Sequence, residues 1–196
     1  GEMWDVGEVT KLRDFSSADI ADMLLARDWF RFCFVRNPYH KLFSAYKDKI
    51  MRPEAESFYR GVQDEIRSEQ DYPEASSGEK PPIVAFRDFA RLVLAGWRSG
   101  DSHWCLQTTR LMYGTIPYDF VGRFEVFDEG IKAVLERFNA PADAREVASR
   151  VHNKTPEIPL AAVYDSELAD AVYAHYRSDF EAFGYDRDSW MFREVQ

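Results

Sequence analysis

The sequence predicts a single α/β layered domain, in which a short central parallel sheet is flanked by many helices. Short apolar runs of strand length alternate with longer amphipathic runs of helical length. The 196 residues are 45% hydrophobic and 15% aromatic, which is enough for one sizeable core. No internal repeat divides the chain, and the polar stretch 70–82 is expected to be a mobile surface loop, not a domain boundary.

Capping residues and apolar runs define the elements of the N-terminal half. Ser16 or Ser17 can cap the first helix, because a serine hydroxyl accepts a bond from an N–H group of the first turn. The aromatic-rich run that follows stops at Asn37-Pro38, where Asn is a favoured N-cap and Pro a favoured first helical residue. The predicted elements are a helix over 16–27, a strand over 29–35, and helices over 38–50 and 54–69.

The C-terminal half is divided by similar signals. Asp128 is expected to cap one helix, and the last helix lies between Asp165 and Gly184, since glycine readily takes the left-handed conformation that ends a helix. The other predicted elements are a helix over 86–97, a strand over 118–124 and a helix over 128–138. In the last helix, seven apolar residues fall within about 140° of one another on a helical wheel: Leu168, Ala169, Val172, Tyr173, Tyr176, Phe180 and Phe183.

Charge is distributed unevenly along the chain. The net charge is −9, which argues against a general nucleic-acid binder. Six basic residues and a single acid, however, lie between 31 and 52. A basic island in an acidic chain indicates a small anionic ligand, although a solvated helix face could have the same composition.

Cysteine content and hydropathy indicate the compartment. Cys33 and Cys105 are the only cysteines, too few for a disulfide framework or a cysteine metal site, and we expect no metal. We expect a reducing compartment, the cytoplasm, with membrane association only if an upstream segment carries an anchor. No run of about 18 apolar residues is present that could span a bilayer.

The junction between the predicted strand and helix at Arg36 has the features of a phosphate site. In α/β sheets ligands collect where strands end, and a helix start can offer N–H groups to an anion. Four polar residues of the helix fall within about 60° of one another: Asn37, Lys41, Ser44 and Asp48. An apolar stripe lies roughly opposite them and consists of Tyr39, Phe43, Tyr46 and Ile50. Arginine offers a planar fork, and serine a hydroxyl, to phosphate oxygens.

The segment FVRNPYHKLFSAYKDKI resembles the 3′-phosphate-binding segment of the carbohydrate sulfotransferases of the second family. That family includes chondroitin, dermatan and glucuronyl sulfotransferases and many bacterial relatives. Its pattern is matched here by Arg36, Asn37, Pro38, Lys41, Leu42, Ser44, Ala45, Tyr46 and Lys49. The resemblance implies that Arg36 and Ser44 hold the 3′-phosphate of the co-substrate 3′-phosphoadenosine 5′-phosphosulfate (PAPS), with Asn37 and Lys41 beside them.

Two further blocks resemble the same family, in the same order. His103-Trp104 and the run YDFVGRFE at 118–125 are similar to its HW and YDF(V/I)G(K/R)(F/Y)E segments, although Leu106 replaces a proline common in bacterial members. Leu111 and Gly114 stand where luminal animal members carry cysteines, so a bacterial type is expected. The third block, at 176–185, resembles the family's C-terminal helix and is expected to serve packing.

The resemblance implies a partial P-loop-like sulfotransferase fold and a PAPS-dependent enzyme that transfers a sulfuryl group to a hydroxyl of a carbohydrate or related acceptor. His103 is the candidate catalytic base, because histidine can take a proton near neutral pH and Trp104 beside it could form the floor of a sugar site. Alternatively, His103 is hydrogen-bonded to fix the loop 102–110, or the base is contributed by an upstream segment.

Two further pairs of residues have expected roles. Asn153 and Lys154 are expected to contact the nucleotide, because relatives have a similar short polar segment there, although the segment could be a simple turn. Arg123 and Glu125 are expected to form an ion pair or another supporting contact and to perform no chemistry.

The family's loop for the 5′-phosphosulfate, of the form PKxxxT, is not found in the sequence. We therefore expect a single sulfotransferase domain over 1–196 that lacks its N-terminal strand, loop and helix, and that would be inactive as it stands if so truncated. The alternative is a non-catalytic nucleotide-binding or interaction module that kept the fold and lost this loop. A small-molecule kinase is a weaker possibility, since its GxxxxGK(S/T) loop is also missing.

Overall fold

The structure is a computed structural model that describes residues 12–51, 57–70, 72, 84–140 and 158–192. The described residues form a mixed, helix-rich α/β fold with one short parallel sheet, which confirms the predicted class. The strands are β1 (Phe32–Val35) and β2 (Phe120–Arg123). The helices are α1 (Ser17–Leu25), α2 (Pro38–Ala45), α3 (Ser57–Glu69), α4 (Phe86–Leu94), α5 (Gln107–Arg110), α6 (Phe127–Arg137), α7 (Ser166–His175) and α8 (Arg177–Phe183).

Helix α1 begins with a reciprocal cap. The Ser16 hydroxyl accepts from the backbone N–H of Asp19 at 3.2 Å, and the Asp19 carboxylate accepts from the backbone N–H of Ser16 at 3.3 Å. Ser16, not Ser17, is therefore the N-cap. The helix ends two residues before the predicted end, and the Arg31 guanidinium donates to the carbonyl groups of Met23 and Ala26 in that last turn.

The two strands pair in parallel, from Phe32 opposite Phe120 to Val35 opposite Arg123. Both are shorter than predicted, but each lies inside its predicted range. Because parallel strands end at the same edge of a sheet, the residues that follow β1 and β2 lie side by side. Gly122 permits close packing on this sheet: an added Cβ would lie 2.4 Å from the Phe34 ring.

The main core surrounds α2. The predicted apolar stripe of this helix is buried throughout: Tyr39, Phe43, Tyr46 and Ile50. These side chains pack with buried residues of α3, α4, α7 and α8. The chain continues past α2 as a five-residue π-helical turn, Tyr46–Ile50, so the predicted helix over 38–50 is confirmed.

Two predicted helix boundaries are wrong. Helix α6 begins at Phe127, and Asp128 lies in its first turn instead of capping it, because the 3-10 turn Phe124–Val126 leads directly into the helix. The predicted last helix is two helices that meet at Tyr176. The Tyr176 hydroxyl donates to the Trp104 carbonyl at 2.5 Å, and this anchors the break to a neighbouring loop.

The outer ends of this helix pair are as predicted. The Asp165 carboxylate accepts from the backbone N–H of Leu168 at 2.9 Å and caps α7. Gly184 ends α8 with a φ of 64°, in the left-handed region that glycine adopts without strain. The predicted apolar face is also confirmed, since six of its seven residues are buried and Tyr173 is half-buried.

Two other predictions can be compared with the described residues. Helix α3 falls within the predicted range 54–69, and α4 stops three residues before the predicted end at 97. The predicted loop 70–82 lies outside the described residues except for Gln70 and Tyr72. None of the described helices combines the length and apolar character needed to cross a bilayer.

Candidate functional site

Arg36 lies at the edge where both strands end. It is the first residue after β1, and Phe124 is the first residue after β2. The guanidinium carbon of Arg36 lies 4.9 Å from the centroid of the Phe124 ring, a cation–π contact. The parallel pairing of the strands thus places a half-buried cation at the position where α/β sheets collect ligands.

The backbone around Arg36 is held by side chains from distant segments. Gln107 accepts from the Arg36 N–H and donates to the Arg36 carbonyl, both at 2.8 Å. Glu125 accepts from the Asn37 N–H at 2.7 Å. These bonds extend the hydrogen-bond ladder of β1 by means of side chains. They fix the backbone of Arg36 and therefore the direction in which its side chain points.

The start of α2 offers fewer N–H groups to an anion than the helix signal alone suggests. Pro38 has no N–H, and the Tyr39 N–H donates to the Asn37 carboxamide oxygen at 3.0 Å. The N–H groups of Arg36 and Asn37 donate to Gln107 and Glu125, as described. An anion at this edge would therefore depend mainly on side chains.

Asp179 forms the base of this arrangement and has no exposed surface. Its carboxylate accepts from the backbone N–H groups of Gln107 at 2.8 Å and Thr108 at 2.9 Å, and from the Thr108 hydroxyl at 2.8 Å. A carboxylate of α8 thus caps α5, for which Leu106 supplies no side-chain bond. The sequence block 176–185 was expected to serve packing only, and this capping function of Asp179 was not predicted.

The sequence did contain a signal for Asp179. On the helical wheel of the last helix it falls about 20° from Leu168, inside the apolar stripe. A single acid on an apolar face indicates a buried carboxylate that needs donors. Its partners were not identifiable from the pattern, because Gln107 lies 72 residues away.

Arg123 and Glu125 do not pair with each other. Arg123 donates to the carbonyl groups of Phe183 and Gly184 at 3.0 and 2.9 Å. Glu125 accepts from the Tyr185 hydroxyl at 3.0 Å while it binds the Asn37 N–H. The predicted ion pair is therefore wrong, and the predicted supporting role is correct for both residues.

Asn37 and Lys41, two of the predicted ligands, make internal hydrogen bonds. Asn37 is 5% exposed, and its carboxamide donates to the Ser189 hydroxyl at 2.8 Å as well as capping α2. The Lys41 ammonium donates to the Cys105 carbonyl. Burial lowers the pKa of Lys41, and the nearby Cys105, Asp179 and Asp101 act in the opposite direction.

Ser44 and Asp48 are half-buried on the same side of this helical segment. Seven residues separate Ser44 from Asn37, about 10 Å along a helix axis. The Asp48 carboxylate pairs with Lys49 at 2.9 Å. Arg36 and Ser44, to which the resemblance assigns the 3′-phosphate itself, are both half-buried.

His103 lies in the loop before α5 and pairs with Asp101. The imidazole Nδ1 is 2.7 Å from the Asp101 carboxylate, which also accepts from the His103 backbone N–H at 2.9 Å. A carboxylate at Nδ1 keeps the proton there and makes Nε2 the basic nitrogen. The same bonds stabilise the loop, so the geometry is compatible with both expected roles.

Trp104 cannot form the floor of an open sugar site, and that expectation is wrong. It is 1% exposed, stacks on Trp97 at 5.7 Å between ring centroids, and donates to the Arg98 carbonyl at 3.0 Å. The sequence pattern alone is compatible with a tryptophan exposed at a binding site or buried in the core, and in the structure Trp104 is buried in the core. Asn153 and Lys154 lie outside the described residues.

Comparisons with known proteins were made over the whole chain. A model of the sulfotransferase family matches residues 3–186. Carbohydrate sulfotransferase 9 of Homo sapiens is 30% identical over 166 residues, which cover 78% of this chain and 36% of that protein. Carbohydrate sulfotransferase 14 of Danio rerio is 30% identical over 167 residues, with 81% and 44% coverage. Carbohydrate sulfotransferase 10 of Xenopus laevis is 25% identical over 207 residues, with 93% and 54% coverage.

The chain spans about half the length of these relatives or less. The relatives are animal proteins, so they do not support the expected bacterial type. No solved structure shows a significant match. The family match covers β1, the Arg36 edge, β2 and α8 together, and the chain therefore belongs to the sulfotransferase family, as a relative of the carbohydrate sulfotransferases.

Proposed function

We propose that this chain carries the 3′-phosphate side of a PAPS site, in a protein that transfers a sulfuryl group to a hydroxyl of a carbohydrate or related acceptor. The observation that carries the proposal is the Arg36 guanidinium, held over Phe124 at the edge where both parallel strands end. Family membership supports the donor class, and the names of the relatives support a carbohydrate acceptor. We also propose that β1 and β2 belong to a P-loop-like sheet.

The residues present fit a phosphate group. Arg36 can give two parallel N–H bonds to phosphate oxygens, and Ser44 can give one hydroxyl bond. Because the backbone N–H groups of Arg36 and Asn37 donate to Gln107 and Glu125, we assign the phosphate contacts to the side chains of Arg36 and Ser44. Asn37 and Lys41 would support the site from behind, through the cap of α2 and the loop at Cys105.

Sulfuryl transfer joins the acceptor oxygen to sulfur, breaks the bond from sulfur to the 5′-phosphate oxygen, and moves the acceptor proton to a base. We propose His103 for that base, through Nε2, with Asp101 stabilising the imidazolium that results. Arg36 and Ser44 would hold the departing 3′,5′-bisphosphate in one orientation throughout. Their contribution is positioning, which catalysis of group transfer uses heavily.

The donor assignment is tested by titrating the protein with adenosine 3′,5′-bisphosphate in a calorimeter. We expect binding, and we expect Arg36→Ala to weaken it at least about 30-fold, since a bidentate charged contact is lost. Adenosine 5′-phosphate, which lacks the 3′-phosphate, should bind wild type and Arg36→Ala about equally. Equal affinity of wild type and Arg36→Ala for the bisphosphate would contradict the assignment.

The base assignment needs a turnover assay with labelled PAPS and a panel of carbohydrate acceptors. We expect His103→Gln to lower kcat about 100-fold or more while the affinity for the bisphosphate is unchanged. If kcat is unchanged, His103 serves only the loop. Binding of the bisphosphate by the wild type without transfer to any acceptor would agree with a non-catalytic binding module and equally with a domain that lacks its 5′-phosphosulfate loop; the same assay on a protein that includes the upstream residues would distinguish the two.

A further inference from the structure

Gln107 connects the backbone of Arg36 to the buried carboxylate of Asp179. It is the first residue of α5 and is 8% exposed. Its carboxamide makes both bonds that a neighbouring strand would make to Arg36, one to the N–H and one to the carbonyl, each at 2.8 Å. One side chain thus takes the place of a strand at the point where β1 stops.

Asp179 determines the orientation of that carboxamide. The Gln107 backbone N–H donates to Asp179 at 2.8 Å, and Nε2 lies 3.4 Å from the same carboxylate oxygen. A carboxylate can only accept, so it favours the orientation in which Nε2 is on its side and Oε1 is directed to the Arg36 N–H. In the reverse orientation, Oε1 would face the Asp179 carboxylate and the Nε2 group would face the Arg36 N–H, so both contacts would be repulsive.

We propose that Gln107, oriented by Asp179, is a positioning residue for the 3′-phosphate: it fixes the backbone of Arg36 so that the guanidinium meets the phosphate in one geometry. The inference rests on the proposed function of Arg36. A planar fork gains its advantage over a point charge only when its direction is fixed. The Phe124 ring restrains the far end of the Arg36 side chain, and Gln107 restrains the near end.

The test measures how much the 3′-phosphate contributes to binding. The quantity is the Kd of adenosine 5′-phosphate divided by the Kd of adenosine 3′,5′-bisphosphate, by calorimetry on the whole chain. Gln107→Met keeps the length and volume of the side chain and removes both bonds to Arg36. We expect it to lower this ratio about tenfold, with little change in the affinity for adenosine 5′-phosphate. In an Arg36→Ala background, the same change should have no further effect on the ratio.

Gln63→Met is the matched control. Gln63 is a half-buried glutamine of α3 whose carboxamide donates to the Ile50 carbonyl at 2.6 Å, so a bond of the same kind is lost in another part of the fold. We expect its ratio to equal that of wild type. Gln107→Leu removes both bonds to Arg36 without adding a charge beside Asp179 and provides a second variant if Gln107→Met does not fold; its ratio should fall as in Gln107→Met.

The outcomes separate the two proposals. A wild-type ratio near one would mean that no 3′-phosphate site exists, which would remove the proposed function and this inference together. A high wild-type ratio that persists in the Gln107 variants, or that falls equally in Gln63→Met, would overturn the positioning role alone.

Discussion

The two sides of α2 are held by different kinds of contact. On the buried side, the Tyr39 hydroxyl donates to the Arg187 carbonyl and the Tyr46 hydroxyl to the Val84 carbonyl, each at 2.7 Å, within a tightly packed aromatic core. On the polar side, the Lys41 ammonium turns to the Cys105 carbonyl, whereas Ser44 is half-buried. The polar side of this helix thus combines a residue that supports the fold with a residue to which we assign a ligand contact.

We therefore expect fold stability and ligand affinity to depend on different residues of one short segment. Substitutions on the buried side should lower the free energy of unfolding. Substitutions at Arg36 and Ser44 should lower affinity and leave stability nearly unchanged. Lys41 makes an internal hydrogen bond, and its contribution to the free energy of unfolding should depend on pH.

The largest effect is expected at Tyr39, which is fully buried. Tyr39→Ala should lower the free energy of unfolding by about 3–5 kcal/mol, because a cavity replaces an aromatic ring. Tyr39→Phe should cost about 1 kcal/mol, the usual net value of a hydrogen bond. Urea denaturation measures both. If Tyr39→Ala cost less than Tyr39→Phe, the division between the two sides of α2 would be incorrect.

The next effect concerns Arg36 on the polar side. Arg36→Lys keeps the positive charge and loses the planar fork, so we expect the affinity for adenosine 3′,5′-bisphosphate to fall about tenfold. The unfolding midpoint in urea should match wild type. An unchanged affinity would mean that phosphate binding depends on the positive charge at this position and not on the planar geometry of the guanidinium.

A smaller loss of affinity is expected at Ser44. Ser44→Ala removes one hydroxyl donor and should weaken bisphosphate binding about threefold to tenfold, with stability changed by less than about 0.5 kcal/mol. Ser68→Ala, at an exposed position of α3, is the matched control and should leave the affinity unchanged. Equal affinities for the two variants would remove Ser44 from the site.

The smallest effect is a pH dependence at Lys41. Burial lowers the pKa of Lys41 below its ordinary value of 10.5, so between these two pKa values the folded chain binds fewer protons than the unfolded chain. The stability of wild type relative to Lys41→Met should therefore rise with pH in that window. Urea denaturation of both proteins at about pH 7 and about pH 9.5 measures the difference. A difference that is constant with pH would mean that the Lys41 pKa is the same in both states.

Local signals predicted the helix ends and the apolar faces well. Ser16, Asn37 and Asp165 cap helices, and Gly184 ends one, because each acts on backbone groups within a few residues. Asp128 failed as a cap, since a preceding 3-10 turn already shapes the entry into α6. The helix break at Tyr176 was not predicted because the residue that anchors it, Trp104, is 72 residues away.

The surroundings of Arg36 were predicted only in part, for the same reason. Arg36 stands beside local strand and helix signals, and a family resemblance gave it a role. The side chains that bind the backbone of Arg36 and of Asn37 are those of Gln107 and Glu125, which lie 71 and 88 residues away. No spacing rule links such residues, and the polar character of Asn37 and Lys41 alone could not distinguish internal partners from a ligand.

The long-range bonds around Arg36 also impose an order on folding. Closing a chain of about 88 residues costs on the order of 4 kcal/mol in entropy, which the pairing of β1 with β2 must offset. The Asn37 carboxamide finds its partner, Ser189, only after a further long segment has been added, 152 residues along. A nascent chain can form α1, α2 and α4 before Gln107 and Glu125 are available to bind the backbone of Arg36 and Asn37. The proposed capacity to bind the nucleotide should therefore arise only after the segment that carries Ser189 has been synthesised.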